Sequence, residues 1–286
     1  MSGSLASFKL GRLPAPPDLL ARAPSLRGHR MASAPAPTRL DRSSVPFQPA
    51  LDDNDVLGDC TAVGIANAAR GQAALYGYEL AIPAARVVSF YAASTGYDPT
   101  APLVNGENPT DRGGVEVEVL AYQATHGLRT GADLLVADWG MGETGDLNAL
   151  RSVAAASTLP YLGVNLALAD QQAPIWDTVT PAAYGDPAPG SWGAHCLALW
   201  DYEGTDDLSL VRLATWGTLR QATWRWVRSR LEEWHALWFR QIVAARALAG
   251  SGIDMERLRA EQLAFSASPA LAPGADGDRP SDTEAV

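Results

Sequence analysis

Two cysteines and four histidines are the residues best equipped for chemistry in this chain of 286 residues. A thiol attacks a carbonyl carbon only as its thiolate, so it needs a pKa lowered by nearby positive charge or by the N-terminal end of a helix. Cys60 has such a position. The run DCTAVGIANAARGQAALYG, from Asp59 to Gly77, is Ala-rich and free of proline, so Cys60 opens a helix that Gly77 ends. The base must then come from elsewhere in the chain. Among His29, His126, His195 and His235, only His195 lies in a strand-like run, GSWGAHCLALWDY, stiff enough to hold an imidazole across a cleft. Cys196 follows it directly, so strand alternation turns its thiol to the opposite face, as a core residue. The competing reading of Cys60 is a small buried hydrophobe in an apolar helix.

The elements that must position these groups fall into two halves. Behind the Cys60 helix, PAARVVSFYAAS (83–94) reads as a second helix and VEVEVLAYQATH as a third, stopped by Gly127. Between the last two lies a polar loop, TGYDPTAPLVNGENPTDRGG. After Trp139 the pattern changes. YLGVNLAL, AHCLALWDY and LSLVRLATW are short apolar runs bounded by Gly, Asp and Pro, as in buried antiparallel strands. Val227, Leu231, Trp234 and Trp238 recur at i, i+4, i+7 and i+11, the rhythm of an apolar helix face, and are read as core. Residues 1–43, rich in Pro, Ala, Ser and Arg, read as an extended arm over the surface or left mobile. Residues 44–246 form the folded domain, and 247–286 a C-terminal extension whose last 20 residues read as disordered.

Composition narrows the function. With 22 basic against 32 acidic residues the net charge is −10, which repels phosphate backbones and anionic lipid surfaces, so neither nucleic acid nor membrane is an expected partner. No stretch reaches the ~18 apolar residues that span a bilayer, and no run of signal-peptide length precedes Pro14. A soluble protein is expected. The cysteines and histidines show no paired ligand spacing, so neither a metal nor another cofactor is expected.

At this point a family resemblance enters. The segment NDVLGDCTAV resembles the nucleophile segment of papain-like cysteine peptidases, with a flavour closer to bacterial and phage relatives. His195 follows Cys60 by about 135 residues, inside the interval of roughly 130 to 150 residues found in that family. Asn54 resembles the residue that helps form the oxyanion hole, against a competing role as a turn-former in the run DDND. Gly113 and Gly114 resemble the Gly-Gly that pairs with substrate backbone, and Thr215-Trp216-Gly217 resembles the end of the family's Asn-Ser-Trp-Gly segment. The family's orienting asparagine would stand two residues before Trp216, and that residue is Ala214.

The resemblance implies an α+β fold of two lobes, a helical lobe headed by Cys60 and a barrel-like antiparallel β lobe carrying His195, with a cleft between. It implies cleavage of amide bonds in a peptide or protein substrate: Cys60 as nucleophile, His195 as base, Asn54 as oxyanion donor, and Gly113, Gly114 and Trp216 lining the substrate. Ala214 leaves the third catalytic position vacant and predicts weak activity. The rival reading is a catalytically impaired papain-like scaffold that binds or builds, for example in a phage particle, with the N-terminal arm contacting an assembly partner. The arm is shorter than the inhibitory prosegment of secreted relatives, so zymogen control is not expected. Cytoplasmic or particle-associated localisation accompanies these readings. Cell-wall amidases also place a Cys on a helix, but their Cys–His spacing is usually much shorter.

Overall fold

The computed structural model describes residues 8–268, apart from 31–34, 132, 157, 179–181 and 244–251. In chain order its elements are β1 (Arg12–Leu13), α1 (Pro17–Leu20), α2 (Cys60–Leu75), α3 (Ala84–Thr95), β2 (Gly114–Val115), α4 (Glu116–His126), β3 (Leu128–Arg129), β4 (Leu134–Leu135), β5 (Ala137–Met141), α5 (Leu147–Ala155), β6 (Tyr161–Leu166), β7 (Gly193–Tyr202), β8 (Leu210–Thr215), β9 (Thr218–Thr223), α6 (Trp224–Arg230), β10 (Leu231–Phe239) and α7 (Met255–Ser266). Helices and an antiparallel sheet are therefore the two halves of an α+β fold. The expected helices and strands are present. The sheet has six strands in the order β5-β10-β6-β7-β8-β9, every neighbouring pair antiparallel.

Small residues explain how α2 comes to lie in the middle. Most of its side chains are buried, as expected of a helix apolar on all sides. Gly64 lets it approach the sheet: a Cβ there would stand 2.5 Å from the Tyr161 ring and 3.6 Å from Cys196 Cβ. Tyr161 Oη returns the contact by donating to the carbonyl of Thr61 at 3.1 Å, which pins the first turn of the helix to β6. One face of the sheet, with Tyr161, Cys196, Ala198, Trp200 and Ala214, joins the core built around α2. The other face, with Leu197, Leu199, Leu213 and Trp216, joins a second core rich in tryptophan. Strands covered on both faces are apolar throughout, which is why they read as continuous runs.

Two expectations need correction. The rhythm through Val227, Leu231, Trp234 and Trp238 breaks into the seven-residue α6 followed by β10. Trp234 and Trp238 are buried, but as strand residues. The described part of the N-terminal arm does not simply lie over the surface. Leu19 and Leu26 are core residues, and β1 pairs in parallel with β2, Arg12 with Gly114 and Leu13 with Val115. The C-terminal extension includes α7, capped by Asp254 and fixed by Arg259 to Asp138 and by Gln262 to the Trp139 carbonyl. The expected disordered tail lies, from residue 269, outside the described residues. No described helix is long and apolar enough to cross a membrane.

Candidate active site

Cys60 is the first residue of α2 and is fully buried. Helix N-termini carry roughly half a positive charge and free N–H groups, so the thiol sits where a thiolate is favoured. Burial pushes its pKa up, but hydrogen bonds to Cys196 and His195, and the charge of His195, together take it well below the ordinary thiol. The residue before it does not compete for that charge. Asp59 is also buried, and burial beside the Cys60 charge pushes its pKa up to about 9, so it is protonated at neutral pH.

His195 lies near the start of β7 with no exposed surface. Its Nε2 is 2.7 Å from Thr215 Oγ1, and its Nδ1 is buried without a well-formed hydrogen bond. Trp216 stacks on the ring, centroids 4.2 Å apart and planes 18° from parallel. The vacancy expected from Ala214 is therefore filled, and register explains how. Ala214 pairs with Ala198, so it shares the face of Cys196, whereas Thr215 shares the face of His195. Thr215 pairs with Thr218 across a two-residue turn in which Trp216 has φ 42° and Gly217 φ 71°. Hairpins of this kind require positive φ at both central residues. A tryptophan in that conformation is strained, and strained backbone concentrates at functional sites. Here it lays the indole over the imidazole.

The other expected residues divide. Asn54 is buried in the loop before α2, where Asp52 and Asp53 have φ 50° and 69°. Its amide donates to the Leu57 carbonyl at 3.2 Å and to Asp59 Oδ1 at 3.0 Å. Through these two bonds Asn54 braces the start of α2. Cys196 is buried as expected, yet it is not turned away from chemistry. Its thiol donates to Glu116 Oε1 at 2.8 Å and also reaches Cys60. Burial, the bond to Cys60 and the charges of Cys60 and Glu116 push its pKa well above the ordinary thiol.

Gly113 and Gly114 lie beside a described segment of the N-terminal arm, β1 pairing with β2. The Gly114 amide donates to the Gly11 carbonyl at 2.8 Å. The strand passes so closely that a Cβ on Gly11 would be 1.8 Å from the Gly58 carbonyl oxygen, and one on Gly113 2.0 Å from that of Gly11. Leu10 reaches Gly193, two residues before His195, and Phe8 packs on Trp216 with centroids 5.2 Å apart. Lys9 pairs with Asp111 at 2.7 Å, and Asp111 also accepts from the Gly58 amide and from Tyr91 Oη. The arm thus runs along Gly58 and Gly193, which stand two residues before Cys60 and His195 in the chain, and along Gly114 and Trp216.

Next in that arm, Arg12 turns its side chain inward. Nη1 meets Glu232 Oε2 at 2.6 Å, Nη2 meets Glu233, and Nε lies 3.5 Å from Glu116 Oε1. His235 Nε2 stands 3.1 Å from Glu233 and 3.4 Å from Glu116. Burial opposes its charge, but hydrogen bonds to the two carboxylates and their charges push the His235 pKa up to about 9. Sequence reading missed this cluster and Thr215. The available signal was the pair Glu233 and His235 at i, i+2, which puts both on one face of β10.

Comparison with known structures agrees with the geometry. Xylellain, a cysteine protease from Xylella fastidiosa, superposes with a TM-score of 0.57 at 12% identity, covering 81% of this chain and 96% of that one. The Amb a 11 cysteine protease, a major ragweed pollen allergen, in its proform, gives 0.53 at 12% identity, with 75% and 70% covered. Digestive procathepsin L 3 of Tenebrio molitor larval midgut gives 0.52 at 14% identity, with 82% and 77% covered. No family model and no curated protein matches the chain by sequence. The protein therefore has the fold of papain-like cysteine proteases.

Proposed function

We propose that the protein is a papain-like cysteine peptidase whose N-terminal arm closes its own cleft. The observation that carries this reading is the alignment of Cys60, His195, Thr215 and Trp216. A depressed thiol at a helix N-terminus faces an imidazole whose far nitrogen is hydrogen-bonded and whose face is covered. In the proposed reaction the Cys60 thiolate attacks the amide carbonyl, and the Cys60 backbone N–H at the helix start helps hold the oxyanion. As the C–N bond breaks, His195 gives its proton to the leaving amine and an acyl thioester remains. Water, deprotonated by His195, then releases the acid and restores the thiol.

Two of the superposed structures are pro-forms, which accords with an arm that occupies the cleft. The test is labelling of Cys60 by a thiol-directed peptidase probe at neutral pH, before and after the arm is loosened by Arg12→Ala. Labelling that rises on loosening and vanishes in His195→Ala supports the peptidase. A Cys60 inert in both states favours the scaffold reading, in which the protein binds or builds without catalysis.

A further inference from the structure

We propose that the acidic pocket around Arg12 is the side-chain pocket through which this protein selects peptides bearing arginine, with Arg12 as the chain's own occupant. The inference rests on the peptidase reading and deepens it by naming the substrate class. The pocket is built around a guanidinium. Arg12 is 4% exposed although it carries a full charge: its two Nη atoms bond Glu232 and Glu233, and the carboxylate of Glu116 lies 3.5 Å from its Nε. Gly163 supplies the room: a Cβ there would lie 2.3 Å from Arg12 Nε and 2.7 Å from Glu116 Oε1. A planar fork with five donors can serve carboxylates placed on three sides, whereas an ammonium is a single point charge.

Charge balance says what the empty pocket requires. With Arg12 withdrawn, Glu116 and Glu233 remain buried beside a single histidine cation, with Glu232 at the rim. Glu116 Oε2 is fully buried and already lacks a well-formed hydrogen bond. Buried carboxylates without a counter-charge are strongly destabilising, so a vacated pocket favours an incoming cation.

Position links the pocket to the reaction. Gly11, next to Arg12, lies against Gly58, two residues before Cys60, and its carbonyl accepts from Gly114. The pocket wall includes Cys196, whose thiol bonds Glu116 and which follows His195 on β7. The edge of β2 can pair with one extended chain at a time. A substrate laid on it displaces the arm and presents a side chain to the pocket, one residue from the one beside the nucleophile loop.

The experiment uses full-length Arg12→Ala, with Arg12→Lys as a second variant should the first fold poorly. Blocked tripeptides carry arginine, its uncharged isostere citrulline, or leucine at the middle position, and the readouts are thermal shift and cleavage of fluorogenic versions. The expected result is that the arginine peptide raises Tm where citrulline does not. Cleavage should favour arginine over citrulline by roughly 10²-fold in kcat/KM, and adding Glu233→Gln should collapse that ratio. Equal stabilisation and equal cleavage of the two peptides would overturn the pocket while leaving the peptidase standing. Arginine-selective stabilisation without cleavage of any peptide would support the pocket and remove the peptidase. A rise in Tm with Zn²⁺ alone, and none with the arginine peptide, would overturn the proposal by making Glu116, Glu233 and His235, whose ligand atoms lie within 4.8 Å of one another, a metal site.

Discussion

The corner around His195 and the pocket around Arg12 are neighbours on β7, one reached by His195 and the other by Cys196, but they hold together by different physics. In the His195 corner a hydroxyl, a tryptophan face and a helix end orient one ring and one thiol. In the Arg12 pocket the buried carboxylates of Glu116 and Glu233 and that of Glu232 at the rim are held by two cations, Arg12 and His235. The two cysteines show the result. Both are buried, yet Cys60 beside an imidazole is driven toward thiolate and Cys196 beside a carboxylate is held as thiol. Damage to the corner should therefore appear in rate, and damage to the pocket in stability and in release of the arm.

The sharpest break in that comparison is loss of the nucleophile or base. Cys60→Ala or His195→Ala should lower peptide turnover by roughly 10⁴-fold or more, measured as kcat on any cleaved peptide. Retained turnover would remove the corner from the chemistry. Next comes Arg12→Ala, which leaves buried carboxylates without their partner and should cost about 3–5 kcal/mol in denaturant unfolding. The same variant should expose Cys60 to iodoacetamide at a pH well below the ~8.5 of an ordinary thiol. An unchanged midpoint together with unchanged alkylation would show that the arm does not guard the cleft.

Thr215→Val keeps the shape and removes the bond to His195 Nε2. Turnover should fall by roughly 10²-fold while Tm moves little, since orientation and not packing is lost; a neutral partner is worth less than the ~10⁴-fold of an anionic one. A large Tm loss with normal kcat would recast Thr215 as structural. Asp59 supplies a pH signature. Its folded pKa of about 9 lies above the ordinary carboxylate, so the native state keeps a proton that the unfolded chain gives up. That contribution is fully present in acid and is lost as pH rises from about 4 toward 9, at up to about 1.4 kcal/mol per pH unit. Asp59→Asn should flatten the decline, read as Tm against pH beside the wild type, and parallel curves would refute it. The smallest effect belongs to Gly217→Ala. At φ 71° an alanine should cost about 1 kcal/mol, with turnover lowered only as far as Trp216 shifts.

Local signals carried much of the fold. The Ala-rich run after Asp59, the helical spacing from Val115 to His126 and the apolar runs around His195 needed only near neighbours to be read. So did Cys60 at a helix start and His195 on a stiff strand. The helical rhythm through Trp234 misled because a strand buried on both faces has no polar alternation to betray its period.

What a linear pattern could not contain was register and long-range pairing. Ala214 looked like a missing catalytic group because spacing was counted along the chain, whereas the pairing of Ala198 with Ala214 puts Thr215 on the face of His195. Arg12, Glu116 and Glu233 are distant in sequence and become a pocket only when β1 lies on β2 and β10 sits between β5 and β6. Sequence alone determined most of the helices and strands, though not β10, and which thiol opens a helix, because those depend on residues a few positions apart. Tertiary structure alone decided which hydroxyl holds His195, what fills the cleft and where the charges meet, because those contacts join groups that only the folded chain brings together.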